Sequence, residues 1–564
     1  MIRHNKLIAA AVAGCFVAGS AMAAAPASTS MILTNGKIYT PSGWSEAMAV
    51  ENGVIVAIGS AASVSEGRQG LKVIDLKGKT VLPGLHDMHV HPTGAGRSEL
   101  QCQLPQGAAL AKVQELTAAC VAGKKAGEWV TGRAYDAASL GVTPHRTLLD
   151  KAAPNNPVFF TDISGHSSWA NSVALKLAGI TKDTPNPKGG IIERDADGTP
   201  TGVFRESASG LVGAKVPPPT RADSARGLKW ALEVMLSVGV TAFDDAVVSR
   251  DVAQAYADNA DAGVLKQRVR GCLISSDPAL IANRQTYARE RFSPSCIKII
   301  LDGVPTDSHT AAMLADYVPI PGRNEEGRTR GLLFVDPADL NVMLTRFDSM
   351  GMTVKMHAAG DAAVREGLDA IEAARKANGF SGLLHNVGHN SFVDMADIKR
   401  ARGIGAVFEF SPYIWFNQPI TADIVKAIGP ERMKRWTPVK DALDAGAFAV
   451  PGSDWNVVPS VNPWIAIETL VTRKPPGGQG EALGADEAIT LKQAVDLFTI
   501  NSARQMYDAH RRGTIELGKL ADVIVIDRNI FEAPITTVHD TKVEMTIIGG
   551  EVVYDAARPP PAKP

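Results

Sequence analysis

The sequence predicts an α/β fold: a (β/α)8 TIM barrel, a small β-sandwich-like domain built from both chain ends, and an insertion after the first barrel strand. Three observations carry this reading. Eight short apolar runs, each closing in polar residues, lie between 81 and 454 with helical patterns between most of them. Glycine-broken β-like runs occur at both ends of the chain, at 31–82 and 513–556. The gap from about 93 to 237 is too long and too patterned to be a loop.

The elements follow in chain order. Residues 1–23 have Arg3 and Lys6 ahead of an apolar stretch from Leu7 to Ala18, then the small-x-small site Ala21-Met22-Ala23. This pattern predicts a secretory signal peptide and a periplasmic or secreted mature chain. The alternative is a lipoprotein, because Val12-Ala13-Gly14-Cys15 resembles a lipobox. The apolar run is too short to span a bilayer, so no transmembrane segment is expected after its removal. The runs at 31–82 and 513–556 predict one composite β-domain. The barrel occupies 83–512, with strands expected at 81–92, 238–246, 268–277, 296–303, 352–361, 382–389, 405–412 and 447–454. The clearest helix covers 362–377.

Composition excludes several classes. The chain has 564 residues, 45% hydrophobic and 21% charged, which excludes a disordered chain, a coiled coil and a polytopic membrane protein. With 58 Lys+Arg against 59 Asp+Glu, nothing favours nucleic acid or an anionic membrane surface as a partner. A small molecule is the expected partner, and a homodimer is an admissible assembly. Apart from Cys15 there are four cysteines and no CxxC. Cys102 and Cys120 close a short loop and can be bridged in an oxidising compartment. For Cys272 and Cys296, buried free thiols are at least as good a reading.

The chemistry lies at the C-terminal ends of the strands, where barrel active sites form. His89 and His91 are two apart at the end of the first strand and can share one face. His357 ends the fifth strand, His389 the sixth and Asp454 the eighth. Imidazoles and a carboxylate converging at one rim suit a divalent metal, zinc above all. Lys298 interrupts a strand expected to be buried on both faces. It reads either as a snorkelling side chain or as a lysine carbamate able to bridge two metal ions. Lys355, sharing strand parity with His357, is a rival for that position, as is Glu206 in GVFRE. His86, His145, His385, His510 and His539 read as structural or surface residues.

PGLHDMHVHP, GSDW and ELGKLADVIVID resemble the metal-dependent amidohydrolase superfamily. SGHSSWANSVAL, GGIIERDADGTPTGVFRE, KIILDG, HTAAMLADY and HAAGDAAVREGLDAIE resemble its amidohydrolase-3 (YtcJ-like) branch. The resemblance implies that His89 and His91 are first-strand ligands and Lys298 the bridging lysine. It implies that His357 and His389 hold a second metal, and that Asp454 binds metal and shuttles the proton. Two departures stand out. Gly388 precedes His389 where relatives often carry Glu, so a supporting carboxylate is expected to be missing. His309 stands where relatives often have Arg, a position expected to face substrate. His166 is a candidate lid residue that meets substrate.

The function expected is metal-dependent hydrolysis of a C–N bond, of the non-peptide amide type, in a small molecule. A metal-activated hydroxide attacks, with one or two Zn²⁺ present and Asp454 as general base and acid. The alternatives are an esterase or lactonase on the same site, and an exported binding protein without catalysis.

Overall fold

The computed structural model describes residues 29–558 and 563, except 106, 136, 138, 163–166, 188–189, 307–308, 320–328, 412, 414 and 417–418, and except the side chains of 134, 206 and 419. The expected signal peptide, Cys15 and His166 therefore lie outside the described residues.

Eight parallel strands form one sheet in chain order: β1 Leu85–Val90, β2 Val240–Val248, β3 Arg268–Ile274, β4 Phe292–Ile300, β5 Thr353–Ala358, β6 Asn386–His389, β7 Val407–Phe410 and β8 Phe448–Pro451. Closure occurs just past β8. Asp454 N–H donates to His89 O (2.7 Å), and Val90 bridges Trp455 in parallel. Gly452 permits this approach, because a Cβ there would lie 2.3 Å from the Cβ of His89. The strands are apolar on both faces because helices cover the outside. The clearest of these helices runs Asp361–Asn378 and buries Val364, Leu368 and Ile371.

The apolar run expected as one strand at 81–92 divides at Gly84. Thr80–Pro83 joins a six-stranded sheet with Lys37–Thr40 and Gly43–Ser45 on one side and Val523–Ile526, Val543–Ile548 and Glu551–Asp555 on the other. Leu85–Val90 enters the barrel. At the division a Cβ would meet Thr241 at 2.3 Å, so only glycine fits. A four-stranded sheet of Val54–Gly59, Ala47–Glu51, Met31–Thr34 and Lys72–Asp75 shares a core with the six-stranded one, including Leu33, Met48, Val81, Val523 and Ile547. Both chain ends thus build one hydrophobic unit.

Between β1 and β2 a six-stranded sheet runs from Cys102–Gln103 to Pro200–Glu206, with its own core around Phe160 and Trp169. This sheet is shorter than the 93–237 gap. The gap's two ends are the helices Pro92–Glu99 and Arg221–Ser237, which cross at Gly96 and Gly227. A Cβ on Gly96 would lie 1.8 Å from Gly227 O.

Both cysteine pairs are disulfides. Cys102–Cys120 ties the first strand of the inserted sheet to the helix Leu110–Ala122. The free-thiol reading of Cys272 and Cys296 is corrected: the two are direct register partners on β3 and β4, with Cα atoms 4.1 Å apart, and are bonded. Among the described residues no helix is long and apolar enough to cross a membrane.

Candidate metal centre and active site

Five strands deliver the cluster. His89 lies in β1, and His91, one residue past it, caps the helix Pro92–Glu99. Asp454 follows β8 in the left-handed backbone region, at φ +61°. Its Oδ1 lies 3.0 Å from His91 Nε2 and 3.5 Å from His89 Nε2. Ligand atoms of His89, His91 and Asp454 all fall within 4.8 Å of one another, close enough to hold one ion. Lys298, in β4, places Nζ 3.5 Å from His89 Nε2. The His389 ring lies 4.7 Å from that of His89 and 4.3 Å from that of His357. His389 also sits in the left-handed region, at φ +73°. Two non-glycine residues at positive φ on one rim are a form of local strain that gathers at functional sites.

Three of the four imidazoles are held from behind. His357 Nδ1 meets Asp302 Oδ1 at 3.0 Å. Asp302 also accepts from the N–H groups of Ala312, Ala359 and Gly360, which fix it firmly. His389 Nδ1 meets Ser411 Oγ at 3.0 Å, leaving Nε2 buried with no partner among the described residues. An orphaned imidazole nitrogen among histidines is what a metal ligand looks like before its ion is bound, so these residues fit a divalent metal. His89 Nδ1 is bonded to Glu409 Oε1. Carboxylate or hydroxyl partners of this kind set which nitrogen faces the metal.

Glu409 corrects the expectation of a missing carboxylate. It pairs in register with Gly388, and a Cβ on Gly388 would lie 3.2 Å from Glu409 Oε1. The glycine on β6 leaves the space that a carboxylate from β7 fills. Glu409 also pairs with Lys355 Nζ and accepts from Asn386 Nδ2 at 3.1 Å. Lys355 in turn donates to Met88 O (2.6 Å) and lies 3.6 Å from Asp244 Oδ2. Lys355 is thereby engaged beneath the cluster, whereas Lys298 faces His89.

Electrostatics favour neutral His89 and His389 and an ionised Asp454. Burial, reinforced by Lys298, holds His89 far below its ordinary range; burial, with His357 and His89 adding, does the same to His389. Burial works to raise the Asp454 carboxyl, but the His91 hydrogen bond and the electrostatic interactions with His89, His91 and Lys298 outweigh it and leave it lowered. Burial brings the Lys298 ammonium down to about 8, Lys355 adding to the effect and Glu409 and Asp454 opposing it.

The remaining candidates lie elsewhere. His309 is buried after β4 and stacks on Tyr317 at 4.2 Å. Glu206 ends a strand of the inserted sheet, and its side chain is outside the described set. His385 is structural: Nδ1 accepts from Val354 N–H and Nε2 meets Asp348. Sequence reasoning missed Glu409, Asp302 and Asp244. The available signal was the one that singled out Lys298, a charge inside an apolar strand run, as in VFEF and KIILDG.

Comparison with known proteins adds to the geometry. A family model described as "Amidohydrolase family" matches residues 72–554. The N-substituted formamide deformylase of Arthrobacter pascens is 28% identical over 529 residues, spanning 90% of this chain and 95% of its own. YtcJ of Bacillus subtilis (strain 168) is 29% identical over 529 residues, 90% of this chain and 96% of its own. Among solved structures, an uncharacterized metal-dependent hydrolase from Pyrococcus horikoshii OT3 matches with a TM-score of 0.74 at 24% identity, over 90% of this chain and 99% of that one. At that identity the likeness concerns the fold.

Proposed function

The chain belongs to the amidohydrolase family, and from that premise we propose that this metal-dependent hydrolase cleaves a C–N bond of a small, non-peptide amide outside the cytoplasm. The observation that carries the reading is the convergence of His89, His91 and Asp454 beside Lys298 and the orphaned His389 Nε2. A divalent ion held there, zinc on the character of its donors, would lower the pKa of a bound water from 15.7 to about 7 and polarise the substrate carbonyl.

Asp454 does the proton work. Its lowered pKa keeps it ionised at neutral pH, ready to take a proton from the attacking water. The same oxygen then returns that proton to the leaving nitrogen, which departs as a neutral amine. His91, 3.0 Å from Asp454 Oδ1, orients the carboxylate. Lys298, with its ammonium brought down to about 8, exposes enough free amine to add carbon dioxide. The new N–C bond forms with loss of one proton to solvent, and the resulting carbamate is anionic. His357 and His389, locked by Asp302 and Ser411, supply further donors. The amide class draws support from the deformylase relative's name. The extracytoplasmic compartment draws support from the 1–23 pattern and from two disulfides.

A substrate panel tests this reading: N-substituted formamides and alkyl amides against esters and lactones, each before and after metal removal. Amide turnover that is lost with the metal and restored by zinc is expected. Turnover confined to esters or lactones would replace the amide reading, and activity persisting without metal would overturn the site.

A further inference from the structure

The opposite end of the barrel carries a feature with no part in this chemistry. A cleft of about 790 Å³ opens there, and five arginines line it: Arg268, Arg270, Arg291, Arg511 and Arg512. Among the described residues, Glu290 and Asp508 are its only acidic lining residues. The arginines are not equally engaged. Arg270 is committed to both Asp244 oxygens and to Gln505 O, so it forms wall and not anchor. Arg268 pairs with Asp522 at 3.0 Å. Arg291 Nη1 donates to the Lys266 carbonyl at 2.6 Å, an uncharged partner. Arg511 is exposed.

Arg512 is the telling case. Its side chain is only 5% exposed, and Nη2 pairs with Asp508. Nε and Nη1 are buried with no acceptor among the described residues. Unmet donors on a buried cation are strongly unfavourable, so a missing acceptor is implied. The neighbours deepen the deficit: burial and then Arg268 bring the Arg512 guanidinium down to about 9, with Asp522 opposing. An added anion would relieve both the unmet donors and the mutual repulsion. Guanidinium forks match tetrahedral oxyanions in geometry. The basic lining is confined to a cleft and is not a long surface stripe, in a chain of net charge −1, which fits a small ligand and not a nucleic acid.

We propose that this cleft at the N-terminal end of the barrel binds a small phosphate-bearing anion, anchored by Arg291, Arg511 and Arg512. The inference is independent of the hydrolytic reading, since none of these three residues belongs to the metal centre.

The test is calorimetric titration of the metal-loaded full chain with inorganic phosphate, pyrophosphate and phosphoethanolamine, with sodium chloride at matched ionic strength as control. Phosphate also has affinity for metal ions, so the double variant Arg291→Ala/Arg511→Ala is titrated alongside. Both side chains reach solvent, so this variant keeps its fold and hydrolytic rate even if Arg512→Gln does not fold. The expected result is saturable binding weakened by about 10- to 100-fold for each arginine removed. Substrate turnover should stay unchanged when the site is filled. Tighter binding of phosphoethanolamine than of inorganic phosphate would mark a phosphate ester as the ligand, and the reverse order the free ion. Equal binding to wild type and double variant, or effects matched by chloride, would overturn the proposal.

Discussion

Glu409→Gln tests whether the carboxylate beneath the metal centre holds His89 in place. Glu409 is fully buried and serves His89 Nδ1, Lys355 Nζ and Asn386 Nδ2. Glutamine keeps the shape and one acceptor but removes the charge. Two separable effects follow. Lys355 keeps Met88 O at 2.6 Å and Asp244 at 3.6 Å, but Asp244 is already shared with Arg270. Removing one partner of a buried ion pair costs about 3–5 kcal/mol, and the remaining Asp244 puts this case near about 3 kcal/mol. Separately, His89 loses its anionic support, which should weaken metal affinity by about 10- to 100-fold. Urea unfolding measures the first effect, and competition with a chromophoric chelator the second. The double variant Lys355→Met/Glu409→Gln separates them. With the stranded ammonium gone, stability should recover while metal affinity stays low. Wild-type affinity in Glu409→Gln would refute the orienting role, and a double variant less stable than the single one would refute the stranded-charge account.

Three further outcomes are expected. Asp454→Asn should retain fold and most bound metal while turnover falls about 10²–10⁴-fold, more for alkyl amides than for activated esters; an equal loss for both would mean another group protonates the leaving nitrogen. Lys298→Met should lower metal content and turnover together, and short carboxylates should partly rescue Lys298→Ala; normal turnover with two tightly held metals would transfer the bridging role to Glu206. Burial, aided by Arg512, brings His86 down to about 3, so the folded state binds fewer protons than the unfolded chain below about 6.5. Its contribution to stability is complete above about 6.5 and lost as pH falls toward 3, by up to about 1.4 kcal/mol per pH unit; His86→Gln should flatten that limb of a urea-midpoint against pH curve, and an unchanged limb would exclude His86 as its source.

Much of the fold was legible because a barrel strand buried on both faces reads as an unbroken apolar run. The same property hides boundaries. The run at 81–92 gives no sign in its hydropathy that Gly84 divides it between two sheets, since both halves are buried. The fourth strand begins at Phe292, four residues before the expected 296, because Ser293-Pro294-Ser295 reads as a turn. Proline is tolerated there as an irregularity, where the pairing with β3 shifts register between Arg270 and Cys272. The bonding of Cys272 to Cys296 was likewise out of reach, because it depends on the register of two parallel strands joined by a helical crossover.

The site shows the same division. The convergence of His89, His91, His357, His389 and Asp454 could be anticipated because each lies at or just past the C-terminal end of a strand, and the C-terminal rim collects strand ends. Glu409 and Asp302 could not be placed, because their roles depend on which neighbouring strand they face. Gly388 makes the physical point. Judged by its own position, it signals a lost carboxylate. In the barrel it is the register partner of Glu409, and its missing side chain is what admits that carboxylate to His89 Nδ1. The requirement is a negative charge behind one imidazole, and adjacent parallel strands can supply it from either side. Gly388→Ala would place a Cβ 3.2 Å from Glu409 Oε1, tighter than ordinary contact, so a change that only adds a methyl group should disturb His89 through the carboxylate it displaces.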